Sequence, residues 1–441
     1  MTLYFLLIFY LFSALLSLLA NRELFTPVKF YFLSILLYFL DVFLSPQLPE
    51  IYIIYFCYIL FGLLLIFLEK KLISNFKYTM DRFRERKSPT LVNPNIIFTC
   101  LLFLTIIPIL SQYYMISLSG GIQEYFVSMK LRVISWSGLG YIYILRDFLP
   151  IINLIFFMIL IIFDFKNKKS WLIVYIFHLI LTLLIGGMTG SRSAVLNTIL
   201  FNIIAYHYLV KPIKLRILII SFFALIVSST ILYSARQQVN FDGDKISLLN
   251  ENFDLLESLK ERSTSIYGII PLNIIYSNEF NNFQYGLTYL TSVSNFIPKF
   301  IWPGKPASSG IILTKFYWGA NYEGSSNFST GIVAEGVMNY GYALGPFIGF
   351  FLGLILAYNI LKVFRFLRRY LKKSIIDNYV KIKYEKIIKY IFLIIVLLPL
   401  IGNATMSESN NLGFNFIKQI LFYLIIDFLI FKLIKLNYYE K

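Results

Sequence analysis

Apolar runs of about 17 to 22 residues recur along this chain between short polar islands, and a helix needs about that length to cross a bilayer core. Inside hydrocarbon the backbone must satisfy its own hydrogen bonds, so each run is expected to be helical. About eleven spans are expected near residues 3–20, 29–45, 51–68, 96–115, 144–163, 171–188, 194–210, 217–234, 331–361, 387–402 and 413–434. The 331–361 stretch suits a tilted helix, or one that starts irregularly at Gly341 and Gly345-Pro346. The first run, Leu3 to Ala20, has no Lys or Arg before it, so it reads as a retained span and not a secretory signal. The fold class is therefore all-α and polytopic. Residues 1–234 carry eight spans, 235–330 form one large outer loop, and 331–441 carry three more spans. No internal repeat and no low-complexity tail interrupts the pattern.

Composition agrees. Of 441 residues, 58% are hydrophobic and only 14% charged, too little polar surface for a soluble domain of this length. The net charge of +17 would suit a nucleic-acid partner, but its distribution argues against one. Cations crowd into Glu69–Asn95, into Lys362–Lys389, and into smaller clusters at Lys166–Lys169, Lys211–Arg216 and the tail from Lys432. The positive-inside rule puts these loops in the cytoplasm, with an excess of roughly +20 inside against −2 outside. Topology and lipid head groups account for the charge, with the N-terminus outside and the C-terminus inside. Cys57 and Cys100 both lie in apolar runs and read as buried thiols. His178 reads as core packing and His207 as a membrane-edge residue. No Cys/His spacing suits zinc, so no metal is expected.

The loop between about Ser234 and Thr330 is too apolar and aromatic for disorder. Segments such as Leu255–Arg262 read as short amphipathic helices, whereas Asn295–Pro306 is too proline-rich for a helix interior. Phe296, Phe300 and Trp302 suit the head-group layer, so folded structure resting on the membrane is expected. A second outward stretch, about Ile116 to Tyr143, holds Gly120-Gly121, Lys130 and Arg132.

Three outward arginines run against the positive-inside preference: Arg192 in the turn Gly186–Ser193, Arg236 just past a span, and Arg262 on a loop helix. Each either snorkels to lipid phosphates or grips an anionic ligand in bidentate fashion. For Arg192, in a Gly/Ser turn at a helix start, the ligand reading is favoured. Glu335 lies near the outer end of a span, where a carboxylate is expensive unless paired. It either pairs with an arginine or serves as a base or sugar ligand. Glu323 and Glu408 read as surface residues. Lys299 and Lys305 either orient a phosphate or sit among head groups, and Asn339 and Tyr340 follow Glu335 closely enough to share a substrate site.

Three segments read in order resemble the Wzy-type oligosaccharide repeat-unit polymerases, the O-antigen and enterobacterial common antigen polymerases. They are Gly187–Ser193 followed by an apolar span, Phe296–Pro306 late in the outer loop, and Ala334–Gly341 leading into a Gly-rich span. The likeness covers about residues 180 to 360. It implies a membrane glycosyltransferase of the bacterial inner membrane that makes surface polysaccharide, such as that of lipopolysaccharide. A growing chain would pass from undecaprenyl diphosphate onto the non-reducing end of a new lipid-linked repeat unit, without metal or cofactor and alongside a chain-length regulator. On that resemblance Arg192, Arg236 and Arg262 would converge on the departing diphosphate, as preorganised cations do where charge develops. Glu335 or another loop carboxylate would take the acceptor hydroxyl's proton, with Lys299, Lys305, Trp302, Glu323, Asn339 and Tyr340 lining the substrate. The related O-antigen ligases are thought to use an outward histidine, which this chain lacks. A ligase-like enzyme remains one alternative and a lipid-linked oligosaccharide transporter the other. Transporters usually place ionisable groups at mid-membrane in matching repeats, and here only Asp41, Lys418 and Asp427 fall in or near spans.

Overall fold

The computed structural model describes residues 3–21, 23–39, 42, 47–72, 77–86, 88–136, 139–188, 192–218, 239–242, 245–248, 269–297, 301–323, 327–377, 384–402, 407–433 and 438–439. In chain order the principal helices are α1 (Leu3–Ala20), α2 (Pro27–Tyr38), α3 (Pro49–Leu72), α4 (Pro94–Leu118), α5 (Leu149–Ile162), α6 (Lys168–Met188), α7 (Arg192–Leu209), α8 (Ile269–Ser277), α9 (Ser309–Trp318), α10 (Gly331–Lys372), α11 (Tyr384–Leu397) and α12 (Ser409–Ile426). Prolines 27, 49, 94 and 150 each stand in the first turn of a helix, where the missing N–H has no intrahelical partner to lose. Thr26 adds a cap before α2, its hydroxyl accepting from the Lys29 amide at 3.4 Å.

Five segments are long and apolar enough to cross a membrane: Pro49–Lys71, Pro94–Leu118, Ile144–Ile162, Lys168–Met188 and Gly331–Ile375. Shorter apolar helices cover Tyr4–Ala20, Pro27–Leu36 and Val195–Leu209. The chain is a helical membrane protein. The span expected at 217–234 falls almost wholly outside the described residues.

Two departures from the expected pattern matter. In the outer loop Val239–Asp242 and Lys245–Leu248 form an unexpected antiparallel hairpin, with Val239 opposite Leu248 and Asp242 opposite Lys245, while the amphipathic stretch expected at Leu255–Arg262 lies outside the described residues. The second concerns α10: of its two expected forms the structure has the irregular start at Gly341, and the irregularity goes further than a kink. Gly341 has φ 79° and ψ 178°, outside the helical region and in the positive-φ range where only glycine is at ease. Residues 331–340 fold back on the following arm. A Cβ on Gly345 would overlap Val337, and one on Gly349 would meet the carbonyl of Ile332 at 2.6 Å. In a straight helix, partners eight residues apart would be separated by about 12 Å. The two arms touch backbone to backbone because Gly336, Gly345 and Gly349 supply no side chain at the seam, the device by which small residues bring membrane helices close. The first arm, ten residues or about 15 Å of helix, reaches only half of a bilayer core.

The chain divides into two compact units. The first comprises residues 1–75, 226–365 and 397–416. Here α1, α2 and α3 pack together through aromatic residues. Fully buried Tyr31 donates its hydroxyl to the Tyr58 carbonyl at 2.7 Å, and Gly62 lets the Phe32 ring approach α3. Asn273 of α8 donates to Gln47 at 2.7 Å, and Tyr342 donates to the carbonyls of Ile275 and Phe280, both at 3.0 Å, fixing α8 beside the second arm of the hairpin.

The second unit comprises residues 76–225, 366–396 and 417–441. Its core holds a polar chain that runs one way through α7, α5, α6 and α4. Tyr175 donates to Asn202 at 2.9 Å, Asn202 to Asn153 at 2.9 Å, and Asn153 pairs with His178 Nδ1 at 3.0 Å. His178 Nε2 meets Thr105 Oγ1 at 3.0 Å, and Thr105 donates to the Leu101 carbonyl at 2.8 Å. Thr105 spends its proton on that carbonyl, so it must accept from His178. The imidazole is thereby assigned as the neutral Nε2–H tautomer, with every partner satisfied. The expectation of a core histidine holds, and the polar chain gives the reason. Of the charges noted near spans, Lys418 pairs with Asp147 at 2.5 Å and Asp427 with Lys389 at 2.6 Å, Lys389 also meeting Glu385 at 2.9 Å, while Asp41 lies outside the described residues.

Two stability tests follow from these contacts. Gly345→Leu should lower the thermal unfolding midpoint in detergent by the equivalent of about 1–3 kcal/mol, as overpacking does. Gly304→Ala, with no atom within 4 Å of the added methyl, should stay within about 0.5 kcal/mol. An unchanged midpoint for Gly345→Leu would refute the folded-back arm. His178→Leu strands the Asn153 amide and should cost about 1–3 kcal/mol, with His178→Gln losing less. If the leucine variant melts like the parent, the polar chain contributes nothing.

Candidate functional site

The folded-back arm carries Glu335, Asn339 and Tyr340, the acidic segment singled out in the sequence. Glu335 and Asn339 are fully buried. A carboxylate withdrawn from water needs donors on both oxygens. Glu335 Oε1 accepts from the hydroxyls of Thr288 and Ser409, both at 2.8 Å, and Oε2 accepts from the Ser409 amide at 2.7 Å. Ser409 is the first residue of α12, so the carboxylate sits on a helix N-terminus, where exposed amides and the helix dipole favour negative charge. Among the described residues its donors are two hydroxyls and an amide, and the outward arginines weighed as partners from the sequence have their side chains outside those residues.

Asn339 lies one helical turn on and ties the arm to the segment before it. Its amide donates to Thr288 Oγ1 at 2.7 Å and to the Glu335 carbonyl at 2.8 Å, while its oxygen accepts the Gly286 amide at 2.8 Å. The terminal carbonyls of the arm, Met338 and Asn339, accept from the Gln284 and Tyr285 amides at 2.9 and 3.1 Å. The half-exposed Tyr340 ring faces Tyr289 with centroids 6.3 Å apart and 30° between planes.

Glu408 corrects an expectation. It is buried, not on the surface. Its Oε2 accepts from Ser309 Oγ at 2.7 Å, the Gly310 amide at 3.0 Å and Thr330 Oγ1 at 3.2 Å, with Ser309 and Thr330 themselves 2.7 Å apart. Gly310 lies in the first turn of α9, whose own N-cap residue Ser308 makes no side-chain cap bond. The carboxylate therefore caps α9 from outside the helix, much as Glu335 caps α12. Gly310 must be glycine here, because a Cβ would overlap the Phe328 carbonyl. Burial raises the Glu408 pKa above the usual carboxylate range, and the hydrogen bonds from Ser309, Gly310, Thr330 and Asn410 oppose that rise without cancelling it. Adjacent residues, Glu408 and Ser409, thus link two buried carboxylate sites that lie near enough to repel each other.

The proline-rich segment joins at the same place: Asn295 donates to the side chain of Asn410. Lys305 folds back onto the Ile297 carbonyl at 3.0 Å, and Trp302 is largely exposed. Glu323 is exposed, in keeping with a surface residue, and takes no part in the network. Arg192 opens α7, but its side chain lies outside the described residues, as do Arg236, Arg262 and Lys299. Sequence reasoning missed Thr288, Ser309, Thr330 and Ser409. A lone hydroxyl in an apolar context carries no signal until its partner is known, although Ser407-Glu408-Ser409 ahead of an apolar run has the composition of a helix start.

No protein-family model, no curated protein and no solved structure matches the chain.

Because its folded-state pKa is raised, Glu408 destabilises the native state increasingly as pH rises from the unfolded carboxylate value through the folded one. Glu408→Gln, which keeps an acceptor oxygen, should flatten that fall in stability across the mildly acidic range. Glu408→Ala leaves buried donors unpaired and should cost about 1–3 kcal/mol. Thermal melts across pH check both. A glutamine variant with the parent's pH slope would refute the assignment.

Proposed function

We propose that the chain is a membrane glycosyltransferase that polymerises undecaprenyl-diphosphate-linked oligosaccharide repeat units on the outer face of a bacterial inner membrane, with its N-terminus periplasmic and its C-terminus cytoplasmic. The observation that carries the reading is a convergence. Two of the three segments behind the polymerase resemblance, 296–306 and 334–341, are tied to neighbouring residues at the start of α12: Asn295, one residue ahead of the first, holds Asn410, and Glu335 holds Ser409. The paired state of Lys418 and Lys389 supports an enzyme over a transporter, since a carrier usually keeps ionisable groups available along a mid-membrane path.

In this reading the bond between the anomeric carbon of the donor chain and its diphosphate oxygen breaks, and the acceptor hydroxyl bonds to that carbon. Undecaprenyl diphosphate departs with the electron pair, and the hydroxyl proton passes to a base. Arg192, Arg236 and Arg262 stabilise the departing diphosphate, each able to grip two phosphate oxygens. Three donors hold Glu335, two on Oε1 and one on Oε2, so it positions the arm that bears Asn339 and Tyr340, and it or another loop carboxylate takes the acceptor proton. Lys299, Lys305 and Trp302 are assigned to the substrate in this reading, orienting its phosphate among the head groups.

Deletion of the gene should leave cells that accumulate a single lipid-linked repeat unit in place of polymer, whereas loss of a transporter would remove even the single unit from the outer face. Arg192→Ala, Arg236→Ala and Arg262→Ala should each lower polymer formation by about 10²–10³-fold at unchanged membrane abundance, with lysine restoring little. Normal chain length in all three alanine variants would overturn the assignment.

A further inference from the structure

The short helical stretch before the proline-rich segment is inverted. Residues 287–294 form a 3-10 turn, Leu287–Leu290, running into a helical turn, Thr291–Ser294. Thr288 and Thr291 are fully buried and Ser294 nearly so, while Leu290 and Val293 expose 54% and 63% of their surface, with Leu287 similar. At helical spacing, three hydroxyl side chains point into the protein and three branched apolar side chains point out of it. A segment washed by water takes the opposite arrangement, because burying hydroxyls while exposing Leu and Val is unfavourable on both counts.

The inward face has an evident purpose. Thr288 donates to Glu335 and accepts from Asn339, and Thr291 donates to the Thr288 carbonyl. Ser292 packs where α12 presents Gly413, whose added Cβ would lie 2.7 Å from the serine side chain. The outward face continues a surface of known character. This stretch is joined to the bend of the hairpin by the Gly286–Asn339 bond and the Tyr289–Tyr340 contact. The arm that leaves the bend exposes Leu344, Phe347 and Phe351 as it sets out across the membrane. In the opposite direction along the chain, Asn278, Glu279, Asn281 and Asn282 are exposed, which marks where water begins.

We propose that residues 287–294 are embedded in the membrane, with bilayer acyl chains covering Leu287, Leu290 and Val293, so that the stretch is a lipid-facing cap over the buried Glu335. The sequence expectation of an outer loop resting on the membrane is thereby sharpened for this stretch: it enters the apolar layer beside the half-depth arm 331–340. The cap closes a buried carboxylate off from hydrocarbon using hydroxyls on one face and branched aliphatics on the other, whatever reaction the protein performs. Backbone groups of such a short stretch are tolerated at membrane depth because protein covers their inner side.

Collision accessibility of spin labels tests this on the full chain in phospholipid nanodiscs. Single cysteines at Leu290, Val293, Glu279 and Asn281, in a Cys57→Ala, Cys100→Ala background, carry the label. Labels at Leu290 and Val293 should collide with oxygen several-fold more readily than with an aqueous nickel chelate, and those at Glu279 and Asn281 should show the reverse. Equal access of the nickel chelate to Leu290, Val293 and Asn281 would overturn the proposal, as would protection of Leu290 and Val293 from both reagents, which indicates a second copy or another protein as the cover. The unmodified chain gives a second reading: photoactivated diazirine phospholipids should label peptides containing 287–294 as well as those of 342–361. Labelling of the spanning arm alone would equally sink it.

Discussion

A carboxylate removed from water must be met by donors, and the first unit is organised around that demand at Glu335. Thr288 and Ser409, the latter at the N-terminus of α12, come from two separate stretches of the chain, and both meet Glu335. The hairpin that carries Glu335 exists because Gly341 can turn the chain and because glycines at 336, 345 and 349 let the arms touch. The carboxylate and the glycine seam need each other. Without the seam Glu335 would lie on an ordinary span facing hydrocarbon, and without the donors the arm would carry an uncompensated charge into the core.

Glu408 repeats the device one residue before Ser409, capping α9 as Glu335 caps α12. Two buried acids that each neutralise a helix start form an interlocked pair of crosslinks. Such an arrangement favours a single geometry for segments that have little regular structure of their own, including the proline-rich stretch held through Asn295 and Asn410. The second unit reaches the same end with neutral groups. Its polar chain through His178 is satisfied at each step and holds four helices in register without exposing a charge to hydrocarbon.

How much of this was legible in the sequence depends on the range of each interaction. Apolar run length follows from local composition, so helices such as Pro94–Leu118 and Lys168–Met188 fall where the pattern puts them. Gly341 and Gly345-Pro346 announced an irregularity, because glycine and proline act locally, but a bend and a complete fold-back look alike until the partner of the glycine face is known. The β-hairpin had a readable cue, Gly243-Asp244 between alternating residues, that the apolar runs around it overshadowed. Glu408 was misjudged because its donors lie about 80 to 100 residues away in sequence, at Thr330 and at Ser309 and Gly310. Buried polar networks are specified by distant hydroxyls that leave no local trace.

That asymmetry bears on where chemistry can sit. Sequence patterns draw the eye to charges, and in this chain Lys418, Lys389, Asp427, Glu335 and Glu408 are paired or capping, committed to holding the fold. A committed group is a poor proton carrier, since taking a proton means surrendering the donors that fix its geometry. Reactive groups are more reasonably sought among side chains without such duties. The carboxylate-capped core of the first unit is then a frame, and the groups that build it are distinct from those free to do chemistry.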